Sequence, residues 1–206
     1  MIAVVDYGVG NLFSLISSLK AIGAESIVTS DPEVIKRADK LILPGVGAFG
    51  DARNKLAESG LDTIIIEQAQ KGKPLMGICL GMQMLFEKSY EYGEHEGLKL
   101  LKGSVVPMEG RLKSEYKIPH IGWNALTFNK DSQILKYIGE GDCVYFVHSY
   151  YAVDCEDSLV ATAEYDKEIT AVVQRDNVYG CQFHPEKSGK VGLNILKAFS
   201  EIGGNV

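Results

Sequence analysis

The sequence predicts an α/β fold whose first half winds around a parallel sheet, and three observations predict it. Short apolar runs alternate with stretches of helical periodicity from Ile2 to about Lys88. Each connecting stretch is long enough for a right-handed crossover helix, as neighbouring parallel strands require. The 206 residues, 46% hydrophobic and 23% charged, suit one large globular α/β unit.

Taken in order, Ile2–Asp6 reads as an apolar strand followed by the turn Tyr7-Gly8-Val9-Gly10. Leu12, Leu15, Ile16, Leu19 and Ile22 recur at helical spacing, and Gly23 stands where a C-terminal cap belongs. Ser26–Thr29 is the second strand. Asp31-Pro32 opens the next helix, with Asp as N-cap and Pro at the first helical position. Lys40–Leu43 is the third strand, expected to break at Pro44 into a glycine-rich loop through Gly50. Asp51–Glu58 and Asp62–Gln70 read as helices, Pro74–Ile78 as a fourth strand and Leu80–Lys88 as a fourth helical segment.

After about Tyr90 the pattern turns to short β-rich pieces: Ser104–Met108, Asn124–Phe128, Val144–Val147, Val160–Glu164 and Thr170–Gln174. Asp176-Asn177 is a hairpin turn into Tyr179–Phe183. A last helix carries Val191, Ile195, Phe199 and Ile202 on one face. No repeat, low-complexity tract or linker divides the chain, so residues 1–206 are expected to form a single domain.

The net charge of −6, without clustered Lys and Arg, argues against nucleic acid as a partner. The first residues show no signal peptide, and no segment reaches the roughly 20 apolar residues of a membrane span, so a cytoplasmic location without membrane contact is expected. Cys79, Cys143, Cys155 and Cys181 lie far apart with no CxxC pair, which speaks against zinc and, in a cytosolic chain, against disulfides. They read as one candidate nucleophile and three structural thiols. No metal or cofactor is expected.

The chemistry concentrates in three segments. In Gly77-Ile78-Cys79-Leu80-Gly81 a buried strand runs into a cysteine flanked by glycines, and a helix follows. This is a nucleophile-elbow pattern with Cys in place of Ser, where neighbouring side chains would clash at a sharp turn. The helix start favours a thiolate, and the Leu80 amide is placed to meet a developing oxyanion. The other reading of these five residues is a small core thiol at a strand end. In Gln182-Phe183-His184-Pro185-Glu186, His184 supplies a base and Glu186 a group to hold its tautomer. Elbow and His-Pro-Glu together, in that order, favour catalysis over two structural coincidences. The third segment, Pro44-Gly45-Val46-Gly47-Ala48-Phe49-Gly50, also matches GxGxxG. It follows the third strand rather than the first, so dinucleotide binding is disfavoured. A loop facing Cys79 across the strand ends is the better reading, with a Val46 or Gly47 amide completing an oxyanion hole.

Gly-Ile-Cys-Leu-Gly-Met-Gln, the Pro-Gly-Val-Gly loop and Phe-His-Pro-Glu together resemble the class I (triad) glutamine amidotransferases, across essentially the whole chain. Within that family, Val5–Leu12, Pro119–Asn124 and Phe146–Tyr151 are most similar to the glutaminase branch that serves imidazole glycerol phosphate synthase. The resemblance implies a flavodoxin-like three-layer fold with a central mixed, largely parallel sheet and helices on both sides. It implies Cys79 as nucleophile, His184 as general base and acid, and Glu186 as its orienter. Gly47 and Leu80 would serve the oxyanion, while Gln83, Ser149 and Tyr150 would hold L-glutamine. It further implies a heterodimer with a (β/α)₈-barrel cyclase subunit, faced by Asn11, His120, Trp123 and Lys187. The ammonia released would be used there to make imidazole glycerol phosphate and an aminoimidazole carboxamide ribonucleotide, in histidine biosynthesis.

Without the resemblance, Trp123 reads as a core or half-buried aromatic, Lys187 as a solvated charge, His148 as a hydrogen-bonded strand histidine and His95 as exposed. Three rival functions stand beside the main one: a glutaminase feeding another synthase, a cysteine hydrolase with another specificity pocket, and a non-catalytic receiver or nucleotide module using Asp6.

Overall fold

The computed structural model describes residues 1–203. Thirteen strands alternate with helices in the first half and follow one another in the second. They are β1 Ile2–Val5, β2 Ser26–Thr29, β3 Lys40–Gly45, β4 Leu75–Cys79, β5 Lys88–Ser89, β6 His95–Glu96, β7 Ser104–Pro107, β8 His120–Phe128, β9 Cys143–His148, β10 Tyr150–Val153, β11 Leu159–Tyr165, β12 Lys167–Arg175 and β13 Val178–Cys181. The helices are α1 Leu12–Ala21, α2 Pro32–Arg37, α3 Phe49–Glu58, α4 Leu61–Gln70, α5 Leu80–Met84 and α6 Gly189–Ser200.

The main sheet has nine strands in the order β2-β1-β3-β4-β13-β12-β11-β8-β9. From β2 to β13 the pairs are parallel, and from β13 outward they are antiparallel. The sheet is mixed, as expected of the fold, with its parallel pairs gathered in the half that carries Cys79 and its antiparallel pairs in the other. A four-stranded sheet, β10-β7-β5-β6, packs as a smaller annex.

Period-two alternation along the strands feeds two cores. Ala3, Val5, Leu41, Leu43 and Leu75 face α2 to α5, through Ile35, Leu56, Ile65 and Met82. Ile2, Val4, Ile42, Met76 and Ile78 face α1 and α6, through Leu15, Leu19, Ile195 and Phe199. Each such fully buried aliphatic side chain contributes about 1.5–3 kcal/mol. Helices on both faces follow directly, because strands apolar on both sides need covering twice.

The capping predicted at Asp31 is present: its Oδ1 accepts from the Glu33 amide at 2.8 Å, with Pro32 first in α2. Asp176 takes φ of 51° in the turn from β12 to β13. Two expectations need correction. Pro44 does not break its strand; β3 runs on to Gly45, paired with Cys79. The recorded pairing of β3 with β1 stops at Ile42, so by Pro44 the ladder is one-sided and the missing N–H is tolerated. The helix after Cys79 ends at Met84 rather than Lys88. The carbonyls of Met84, Leu85 and Phe86 are taken by the amides of Leu98, Leu100 and Lys99, and β5 begins instead. Also unforeseen were β6 and β10.

Candidate active site

Three segments emerge together at the carboxyl ends of adjacent parallel strands, where crevices form in such sheets. Gly45 ends β3, Cys79 ends β4 and Cys181 ends β13, with Gly45 opposite Cys79 and Ile78 opposite Cys181. The glycine loop, the nucleophile and the Gln182–Glu186 segment thus share one rim.

Cys79 stands at φ 53°, ψ −111°, a conformation costly for a side chain that is not glycine. The flanking glycines show what holds it there. A Cβ on Gly77 would lie 2.7 Å from the backbone of Gly81, and a Cβ on Gly81 would lie 1.8 Å from the Leu43 carbonyl. The elbow exists because β3, β4 and α5 approach closer than any other residue allows. Leu80, as the first residue of α5, has an amide with no acceptor within the helix.

His184 is held from both sides. Its amide donates to the Tyr145 carbonyl at 3.0 Å, and its carbonyl accepts from the Ser188 hydroxyl at 2.7 Å. Pro185 then opens a short 3-10 turn, Pro185–Lys187, that aims Glu186 back at the ring. The two side chains meet, His184 Nδ1 to Glu186 Oε1, at 2.8 Å, and each is only 3% exposed. Burial disfavours charge on the imidazole, but Cys79 and Glu186 outweigh it and raise its pKa to about 9. With Nδ1 committed to Glu186, Nε2 is the nitrogen left to exchange a proton with the sulfur or the leaving group.

The pocket in front of Cys79 holds about 600 Å³, and its wall includes Gly47, Leu80, Gln83, Ser149, Tyr150 and His184, all expected from sequence. Gly47 has φ of 93°, with nothing within 4 Å of where a Cβ would stand. Gln83 is buried and already occupied: its Nε2 donates to the Tyr150 carbonyl and to Gln182 Oε1, each at 3.0 Å. It shapes the pocket floor more than it offers a free amide. His148 reads as expected, Nδ1 lying 2.8 Å from the Tyr150 carbonyl. Burial lowers its pKa to about 3, so it is a neutral wall.

The sequence reading gave no role to Gln182, whose Nε2 donates to Cys79 Sγ at 3.7 Å. Period two along an extended segment puts Gln182 on the side of His184, a signal that was available. Glu91 also lines the pocket, accepting from the Phe49 amide at 2.5 Å, and burial raises its carboxyl pKa. Tyr92 and Glu109 stand nearby on the wall. No motif marks these three, which come from the annex sheet and its loops.

Of the residues expected to face a partner, Trp123 is 55% exposed and Lys187 is exposed on the pocket rim. Asn11 is half-buried. His120 does not fit that role: it is fully buried between His148 and Asn124, bonded to each. His95 is half-buried against Gly50 rather than exposed. Cys155 and Cys181 are buried as expected of structural thiols, whereas Cys143 is exposed. No described helix is long and apolar enough to cross a membrane.

Residues 3–201 match the family described as glutamine amidotransferase class-I. The chain is 54% identical to the imidazole glycerol phosphate synthase subunit HisH of Caldanaerobacter subterraneus subsp. tengcongensis, covering 98% of each. It is 52% identical to the HisH subunit of Geobacillus thermodenitrificans, over 98% of this chain and 96% of that one. In three dimensions it resembles PurLQS from Thermotoga maritima with a TM-score of 0.72 at 23% identity, over 96% of each, which speaks for the fold alone.

Proposed function

Because the chain belongs to the class I glutamine amidotransferases, and within them to the HisH subunits of imidazole glycerol phosphate synthase, we propose that its glutaminase activity is carried by Cys79, His184 and Glu186. The single observation that carries this reading is the strained elbow at Cys79 opening into the pocket that also receives His184.

The proposed steps use these residues in turn. L-glutamine lies in the pocket with its side-chain amide over Cys79. The sulfur, having given its proton to His184 Nε2, attacks the amide carbon. Negative charge moves to the amide oxygen, where the Leu80 and Gly47 amides would donate. His184, kept cationic by Glu186, returns the proton to the leaving nitrogen, and ammonia departs from a thioester on Cys79. Water then attacks the thioester with His184 as base, releasing glutamate and the thiol. Gln83, Ser149 and Tyr150 fix the substrate's length and direction. Glu91, the buried carboxylate on the wall, suits the α-ammonium of an amino acid.

The proposed assembly is a heterodimer with a (β/α)₈-barrel cyclase subunit in the cytoplasm, and residues 1–206 as one glutamine amidotransferase domain. Exposed Trp123 and Lys187, which flank the Tyr145 ring, support a docking face reaching the pocket rim at Lys187. Ammonia made at Cys79 would pass to that subunit. The test is glutamate release from glutamine with and without the cyclase subunit. No release under either condition, with ammonium-driven synthesis intact, would refute the assignment.

A further inference from the structure

The pair His184–Glu186 leaves one atom unaccounted for. Glu186 Oε1 meets the imidazole, but among the described residues no donor reaches Oε2, although that oxygen is buried and the side chain is 3% exposed. A buried carboxylate oxygen without a donor is costly, and native structures rarely leave one unmet.

Beside it lies a cavity of about 10 Å³, walled by Glu186, His184, Asn11, Leu15, Ile78 and the Pro44–Val46 segment. That is about the room one water molecule needs. Leu15 and Ile78 offer no polar atom, and His184 Nδ1 is already committed to Oε1. Asn11 is therefore the side chain on this wall with a donor to spare. It occupies the N-cap position of α1, where asparagine ordinarily caps with its side chain, yet it makes no side-chain cap bond. Its amide is unspent, next to a carboxylate oxygen that lacks a donor.

We infer that a single buried water bridges Asn11 and Glu186 Oε2, and that Asn11 is a positioning residue which keeps the Glu186 carboxylate aimed at His184. The inference rests on the triad reading above. The water donates one hydrogen to Oε2 and accepts from the Asn11 amide, and Gly45 and Val46 are within the same wall. The β1–α1 turn that carries Asn11 itself packs against the entry of the glycine loop, where a Cβ on Gly10 would stand 3.3 Å from Pro44. The function of Asn11 would thus be exercised inside the chain, not only on a partner face.

Two measurements test it. A crystal structure near 1.5 Å should hold an ordered water within hydrogen-bond distance of both Glu186 Oε2 and the Asn11 amide. An empty cavity, or Asn11 turned to solvent, overturns the inference. Asn11→Ala should lower kcat for glutamine hydrolysis about tenfold, in the isolated chain and at saturating cyclase alike, with KM within twofold and Tm hardly changed. Asn11→Ser, whose hydroxyl can hold the same water, should recover most of the loss. An unchanged kcat, or a defect confined to cyclase affinity, refutes it. Cys79→Ala in parallel separates the two readings: if that variant still hydrolyses glutamine, it is the triad that fails.

Discussion

The hydroxyl of Tyr7 donates to the carbonyl of Pro44 at 2.7 Å, inside the protein and directly ahead of the glycine loop. Burial, with the charge of Cys79 behind it, raises the Tyr7 pKa, so the phenol stays protonated and stays a donor. Its oxygen also fills the space over Gly45, 2.9 Å from where a Cβ would be. Tyr7→Phe removes the donor without removing the ring and strands a buried carbonyl. Stability should fall by about 1–3 kcal/mol, read as a lower midpoint in urea. Glutamine turnover should fall as well, because the Gly47 amide is carried by the segment so released. A stable variant with full turnover would show that the bond only decorates the loop.

Cys79→Ala and Cys79→Ser should abolish glutamine hydrolysis while ammonium still drives the cyclase. A thiol-alkylating glutamine analogue should label Cys79 alone, although Cys143 is the exposed thiol. Labelling of Cys143 with loss of activity would move the nucleophile elsewhere.

Glu186→Gln should reduce turnover less than His184→Ala, since the imidazole remains but loses its carboxylate. The alkaline limb of the pH–rate profile should lie near 9 in the parent, where His184 gives up its proton, and move to lower pH in Glu186→Gln. The same raised pKa means that the folded chain holds this proton more tightly than the unfolded one. Its contribution to stability is complete below about pH 6.5 and is lost as pH rises through about 9. A limb unmoved by Glu186→Gln would leave the carboxylate without a role in supporting the charge.

Glu91→Gln should raise KM for glutamine at least tenfold with a smaller change in kcat. The buried carboxylate would lose its charge but keep an oxygen for the Phe49 amide. Initial-rate kinetics decide the point, and an unchanged KM would assign the α-ammonium to Glu109 or to solvent.

Glutamine turnover should rise at least tenfold when the cyclase subunit and its nucleotide ligand are both present, a shift of about 1.4 kcal/mol in the barrier. The lever proposed is the peptide at Gly47, whose φ of 93° and open surroundings permit two orientations, only one of which aims its amide at the oxyanion. Labelled ammonium in the bulk should not enter the product during glutamine-driven turnover. A full rate in the isolated chain would leave nothing for the partner to switch.

What was legible in the sequence was local. Gly77, Cys79 and Gly81 announce a tight elbow because crowding between adjacent elements demands glycine, and His184-Pro185-Glu186 carries its geometry within three residues. The strand at Pro44 was misread because tolerance of proline depends on which neighbouring strand has ended, a tertiary fact. The helix after Cys79 was overextended because its last carbonyls are claimed by residues 98–100, beyond the reach of any periodicity. Glu91 and the unused amide of Asn11 were invisible for the same reason: each gains its meaning from a wall that distant segments build. His120 was read as surface from its motif, whereas its neighbours His148 and Asn124 bury it.

The seating of β13 beside β4 has a consequence for how the chain comes to be active. Cys79 and Gln182 touch across 103 positions of sequence, and Gly77 pairs with Gly180. During synthesis the nucleophile strand is made early, yet its inner edge stays open until β13, which leads into His184, emerges. Closing so long a loop is entropically slow, and parallel neighbours far apart in sequence delay folding. A nascent chain that has already displayed Cys79 is therefore inert toward glutamine, and catalytic competence arrives in one late step, when the last strand slots into the middle of the sheet.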